Sequence, residues 1–188
     1  METMLGIFSA FGLSASAGLN AYIPLLVIAL AARFTDLIKL NAPWDILTNG
    51  WIIGVLVFLT LVEFLVDKIP IIDHVNDAVQ TFVRPTAGAI AFAASANLIT
   101  DVNPTLSLAL GLLAAGSIHA AKSVAIRPAV SVVTGGIGDA PASFAEDATA
   151  TTVSVAAIAA PALAAGLTIA LIAFLVWLIW LRPVKRRD

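Results

Sequence analysis

The chain has 188 residues, 60% of them hydrophobic and 12% charged, with a net charge of −2 and a mean hydropathy of +1.01. A soluble domain carries about a quarter charged residues, so this composition predicts one integral membrane domain over residues 1–188. Cysteine is absent, which excludes disulfides, thiolate metal sites and cysteine nucleophiles. No basic stripe with interleaved aromatics occurs, so nucleic acid is not an expected partner.

The first apolar segment runs from Leu5 to Ala32. Its 28 residues would reach about 42 Å as one helix, beyond a hydrocarbon core of about 30 Å. It contains SASAGLNAYIPLL (14–26), so a break is expected between Gly18 and Pro24. Irregular backbone at membrane depth is tolerated only against protein or water, which predicts that Gly18, Asn20 and Pro24 face inward. ASA (15–17) resembles a leader cleavage site. No Lys or Arg precedes Arg33, however, and the apolar run continues past it, so a leader is not expected.

The second segment is Trp51 to Val66. The run IIDHVNDAVQTFV (71–83) then places apolar residues on one helix face and Asp73, His74, Asn76, Asp77 and Gln80 on the other. It reads as a helix lying in the membrane interface with its polar face to water. Thr86 to Thr100 and Thr105 to Ile126 form segments three and four, followed by a loop, VTGGIGDAPAS (133–143). Glu146 to Leu181 is too long for one crossing, and Pro161 is the expected hinge between segments five and six. The predicted fold is therefore an all-α, polytopic bundle of about six spans.

With six spans, Lys68, Arg84, Lys122, Arg127, Arg182, Lys185, Arg186 and Arg187 fall on one side and Arg33 and Lys39 on the other. The positive-inside rule then predicts a multi-pass protein of the plasma (inner) membrane with both termini cytoplasmic. A shift of 99 residues lays GLSASAGLNA (12–21) over GLLAAGSIHA (111–120), with Asn20 on His119. Three spans per half, 1–100 and 101–188, would make such a repeat inverted.

Ionisable groups inside membrane segments are costly unless paired or wetted, which makes them the first functional candidates. Glu63 and Asp67 share a helix face at i, i+4, and His119 and Lys122 share one at i, i+3. Asn20, Tyr22, Glu63, His119 and Lys122 are the expected solute- or ion-binding residues. Asp67, Arg127 and Glu146 stand behind them. Arg127 reads as snorkelling to lipid phosphates, and SFAE (143–146) as a capping box opening a helix, with Glu146 and Asp147 at its start. Asp73, His74 and Asp77 are weak metal candidates, and no cofactor is expected. Gly12/Ser16 and Gly111/Ala115 mark tight helix contacts.

GLNAY (18–22) and above all VEFLVDKIPIIDHVNDAVQTFVRPTAGA (62–89) resemble the domain-of-unknown-function family 4126 of bacterial polytopic membrane proteins. The likeness covers essentially the whole chain and implies a polytopic membrane protein, with no activity to carry over. HExxH, a P-loop and GxSxG are all missing from the sequence, so enzymatic activity is not the leading expectation. The leading reading is a small transporter or permease for a solute, anionic solutes and lipid headgroups included. The alternative is a non-catalytic accessory or scaffold subunit of a membrane complex. Expected partners are membrane lipids and either a second copy of the chain or another membrane protein.

Overall fold

The computed structural model describes residues 2–68, 70–96, 103–161, 163 and 166, without the side chains of residues 2–4, 70–75 and 77. Apart from residues 163 and 166, the expected sixth segment falls outside the described residues, as does the closing RPVKRRD. Among these residues the fold is all-helical: α1 (Glu2–Leu19), α2 (Tyr22–Phe34), a short 3-10 turn (Trp44–Thr48), α3 (Gly50–Val66), α4 (Pro70–Ala96), α5 (Pro104–Ala121), a π-helical segment (Lys122–Ile126), α6 (Arg127–Thr134) and α7 (Asp139–Ala159).

Three asparagines start three of these helices, because a short side-chain oxygen can satisfy the first free backbone N–H groups. Asn49 accepts from the N–H of Trp51, and Asn103 from those of Thr105 and Leu106 with Pro104 at the first helical position. Asn20 accepts from the N–H groups of Tyr22 and Ile23, both at 3.1 Å.

The expected break in the first segment therefore falls at Asn20–Ala21, but it is a reversal and not a kink in one crossing. Asp36 to Lys39, just after α2, line a cleft of about 500 Å³ together with Leu5, Gly6 and Ser9 of α1. The excess length of segment one is taken up by a helical hairpin. Two other expectations change as well. Residues 71–83 are not a separate interfacial helix; they are the first half of α4, which continues through Pro85 to Ala96. SFAE does not open a helix either, since α7 begins at Asp139 and Ser143 lies within it. The turn before it, with Gly135 at φ 63° and Gly136 at φ 86°, is much shorter than the expected loop.

Pro104–Thr134, across the π segment, is one helical stretch long and apolar enough to cross a membrane; Leu5–Leu19, Tyr22–Phe34 and Gly50–Val66 are apolar but shorter. The π segment leaves the Arg127 N–H bonded to the Lys122 carbonyl, five residues back.

Small residues set the helix spacing. α1 runs against α7, with Ser9 Oγ donating to the Ala157 carbonyl at 2.6 Å, Ser16 Oγ to the Ala150 carbonyl at 2.8 Å, and Gly12 facing Ala157. α4 and α5 close over Gly88, Gly111 and Ala115. A Cβ on Gly111 would run into the Gly88 carbonyl and lie 2.6 Å from Phe92 Cβ, whereas one on Gly116 would meet nothing nearer than Pro85 at 3.7 Å. Both sites lie in the same helix, so both gain about 1 kcal/mol of helix propensity from alanine. Overpacking costs about 1–3 kcal/mol. Gly111→Ala is thus expected to lower, and Gly116→Ala to hold or raise, the midpoint of thermal unfolding in detergent.

The outer faces are apolar. Trp51, Val55, Phe58, Val62 and Leu65 form an exposed stripe on α3, with Trp51 87% exposed. Leu106, Leu112 and Leu113 of α5 and Val132 and Val133 of α6 are exposed too.

Candidate functional site

The polar residues collect inside, where the α1–α2 reversal meets the end of α3, the middle of α4, the end of α5 and the first half of α7. Arg84 lies at the centre with no exposed surface. Its Nη2 bonds Glu63 Oε1 at 2.9 Å and Asp67 Oδ2 at 3.3 Å, and its Nε bonds Glu63 Oε1 at 3.2 Å. The other Glu63 oxygen takes the N–H of Ala21 at 3.1 Å, a donor freed by the reversal. Arg84 Nη1 stands 3.3 Å from His119 Nδ1, and His119 Nε2 stands 3.1 Å from Thr81 Oγ1. Arginine has donors only, so in this contact Nδ1 is the acceptor and the ring proton sits on Nε2, toward Thr81.

A second cluster adjoins the first. Asn20 Nδ2 donates to Asp147 Oδ1 at 3.0 Å, while Lys68 Nζ bonds Asp147 Oδ2 at 3.1 Å and lies 3.3 Å from the centre of the Phe64 ring. Lys122, 1% exposed, bonds Glu146 Oε2 at 2.7 Å and the Leu19 carbonyl at 3.3 Å. Arg127 Nη2 reaches Glu146 Oε2 at 3.2 Å, Ser143 Oγ at 3.1 Å and Asp67 Oδ2 at 3.5 Å. Ser143 Oγ in turn donates to the Asp67 carbonyl at 3.0 Å. Four carboxylates (Glu63, Asp67, Glu146, Asp147) thus face four cations (Lys68, Arg84, Lys122, Arg127). A balanced set of this kind keeps the cost of burying each charge bearable, because every charge has an opposite neighbour.

The structure brings Asn20, Glu63, His119 and Lys122 into one connected network, with Asp67, Arg127 and Glu146 beside them. Tyr22 joins through its backbone N–H, bonded to Asn20. Arg127 does not snorkel: its side chain is 11% exposed and paired with carboxylates of two other elements. Glu146 and Asp147 do not merely decorate a helix start, since both lie inside α7 and close ion pairs. The side chains of Asp73, His74 and Asp77 lie outside the described residues; among those described, no group of His, Asp and Glu is arranged to hold a metal.

Sequence reasoning missed Arg84, Lys68 and Asp147 as members. The available signal was the spacing of Asn76, Gln80 and Arg84, four residues apart on one face of α4. That face points inward: Asn76 Nδ2 donates to Asp67 Oδ1 at 2.6 Å, and Gln80 is 3% exposed. Val79 and Phe82 on the opposite face are exposed. Of the polar stripe expected to meet water, Asn76 is bonded to Asp67 and Gln80 is buried in protein. Four of the eight cations assigned to one membrane side are consequently interior ion-pair partners.

Fold and site together define a helical protein with a charge-balanced ionic cluster buried beside an apolar core, and with apolar residues exposed on α3, α5 and α6. Residues 7–181 match the family described as "Domain of unknown function (DUF4126)", and the chain belongs to that family. No curated protein and no solved structure matches it.

Proposed function

We propose that this protein is embedded in a membrane as a multi-pass bundle and works as a small transporter or permease, with the buried ionic network as its solute- or ion-handling centre. The observation that carries this reading is the network's composition. Asn20, Glu63 and Arg84 come from the first half of the chain, and His119, Lys122, Glu146 and Asp147 from the second. Ionisable groups gathered at the meeting of two halves are what a carrier needs to couple a solute to movement of one half against the other. The exposed stripe on α3 and the polar stripe buried on α4 support the bilayer setting. In water that arrangement would expose Trp51, Phe58 and Leu65 while burying Arg84, the reverse of a soluble core. The inverted repeat and cytoplasmic termini belong to this reading as well. Asn20 and His119, equivalent under the 99-residue shift, are linked through Ala21, Glu63 and Arg84.

The test is solid-supported-membrane electrophysiology on proteoliposomes, with a panel of organic acids, amines, phosphate and metal cations. A carrier gives a protein-dependent current with at least one of them, lost in Glu63→Gln. Silence across the panel, with a stoichiometric hetero-complex recovered from native membranes, would favour the accessory-subunit reading.

A further inference from the structure

The four carboxylates of the network are not held alike. Glu63 has both oxygens engaged, one by Arg84 and the other by the Ala21 N–H. Asp67 is engaged at Oδ1 by Asn76 and at Oδ2 by Arg84 and Arg127. Asp147 is engaged at Oδ1 by Asn20 and at Oδ2 by Lys68. Glu146 alone is held by one oxygen: Oε2 takes Lys122 and Arg127, while Oε1 is buried without a partner. A buried acceptor left unpaired costs stability, so Glu146 is the one carboxylate of the four with an unmet demand. It also lies at the rim, with Glu146 and Arg127 retaining 12% and 11% exposure against none for Glu63 and Arg84.

A second unpaired acceptor accompanies it. Gln80 Oε1 is buried without a partner, on a side chain 3% exposed. α4 and α5 run antiparallel, with Gly88 against Gly111 and Ala115 and with Thr81 and Arg84 on His119. The next turn of that register sets Gln80 against Ser123, the residue after Lys122.

From this geometry we infer that Lys122 Nζ and the Arg127 guanidinium form a carboxylate-binding cradle. Glu146 is its tethered occupant, and the exchanging solute is a small carboxylate bearing a hydroxyl. The solute's carboxylate replaces that of Glu146 on the two cations, and its hydroxyl donates to Gln80 Oε1. The solute enters as its neutral acid and passes its proton to Glu146, so the charge count is unchanged while Glu146 is released. The inference rests on the carrier reading, for which it names the substrate class.

The test is calorimetric titration of the purified protein, in uncharged detergent and carboxylate-free buffer, with glycolate, acetate and inorganic phosphate. Wild type is expected to bind glycolate more tightly than acetate. Glu146→Gln, which removes the internal competitor, should bind glycolate at least tenfold tighter, and Arg127→Gln at least tenfold weaker. Gln80→Leu should erase the preference for glycolate over acetate. If Glu146→Gln does not fold, wild type against Arg127→Gln decides alone. Glycolate binding that Arg127→Gln leaves unchanged, or absent from wild type and Glu146→Gln alike, overturns the inference. Phosphate binding tighter than glycolate overturns the carboxylate assignment. Loss of glycolate binding in phosphatidylglycerol nanodiscs but not phosphatidylcholine ones gives the cradle to a lipid phosphate instead. A current with another solute and no carboxylate binding would sink this inference while sparing the carrier; binding without any current would do the opposite.

Discussion

Replacing Arg84 with methionine should cost the fold about 3–5 kcal/mol, the usual penalty for removing one partner of a buried ion pair. Methionine fills much of the same volume, so lost packing is the smaller part. The larger part is electrostatic. Glu63 keeps only the Ala21 N–H as a donor, and Asp67 keeps Asn76 and Arg127. Arg84→Lys should fall between the two, because one ammonium cannot reproduce a fork that serves Glu63, Asp67 and His119 together. Adding Glu63→Gln to Arg84→Met removes the stranded carboxylate and should recover roughly 2 kcal/mol, within the range of coupling for residues in contact. Unfolding of wild type, Glu63→Gln, Arg84→Met and the double variant, with Arg84→Lys alongside, by SDS titration in mixed micelles measures this directly. Strictly additive losses would mean that Glu63 and Arg84 do not interact as described.

The second large effect is expected at Asn20, whose two ends do different work. Its oxygen caps α2 through Tyr22 and Ile23, and its nitrogen donates to Asp147. Asn20→Ser keeps a good cap and loses the donor, so about 1 kcal/mol is expected. Asn20→Ala loses both, adding a cap worth about 0.5–2 kcal/mol to a buried acceptor stripped of its donor at about 1–3 kcal/mol. Asn20→Asp keeps the cap but sets a second carboxylate against Asp147, and should be at least as damaging as alanine. The same titration ranks the three. An aspartate as stable as wild type would contradict the Asn20–Asp147 bond.

Much of the centre was legible before the structure, for a thermodynamic reason. Asn20, Glu63, His119 and Lys122 stand inside apolar runs, where an unpaired polar group is costly, so partners had to exist. Gly111 and Ala115, four apart, likewise announced a close helix contact, and Gly88 proved to be what they meet. Arg84 was not legible because a cation beside a proline at the end of an amphipathic run reads equally well as a loop charge. The period of Asn76, Gln80 and Arg84 fixes that they share a face; it does not say whether that face meets water or protein. Nor could length alone separate a kinked crossing from the α1–α2 hairpin, since both absorb the same excess. Asp147 and Lys68 were hidden by position: charges near segment ends have an ordinary interfacial explanation, and only tertiary contacts overrule it.

The chain has no cysteine, so a single introduced thiol reports unambiguously. Ser143 is the most informative place for it, because its hydroxyl lies between Arg127 and the Asp67 carbonyl in the network and cysteine is nearly the same size. The decisive measurement is labelling of Ser143→Cys by a membrane-impermeant maleimide in right-side-out and inverted vesicles. A carrier opens its centre to each side in turn, so labelling from both faces is predicted, in a ratio that shifts when solute is added. Labelling from neither face, in protein that unfolds like wild type, would contradict transport and make the network a permanent structural lock.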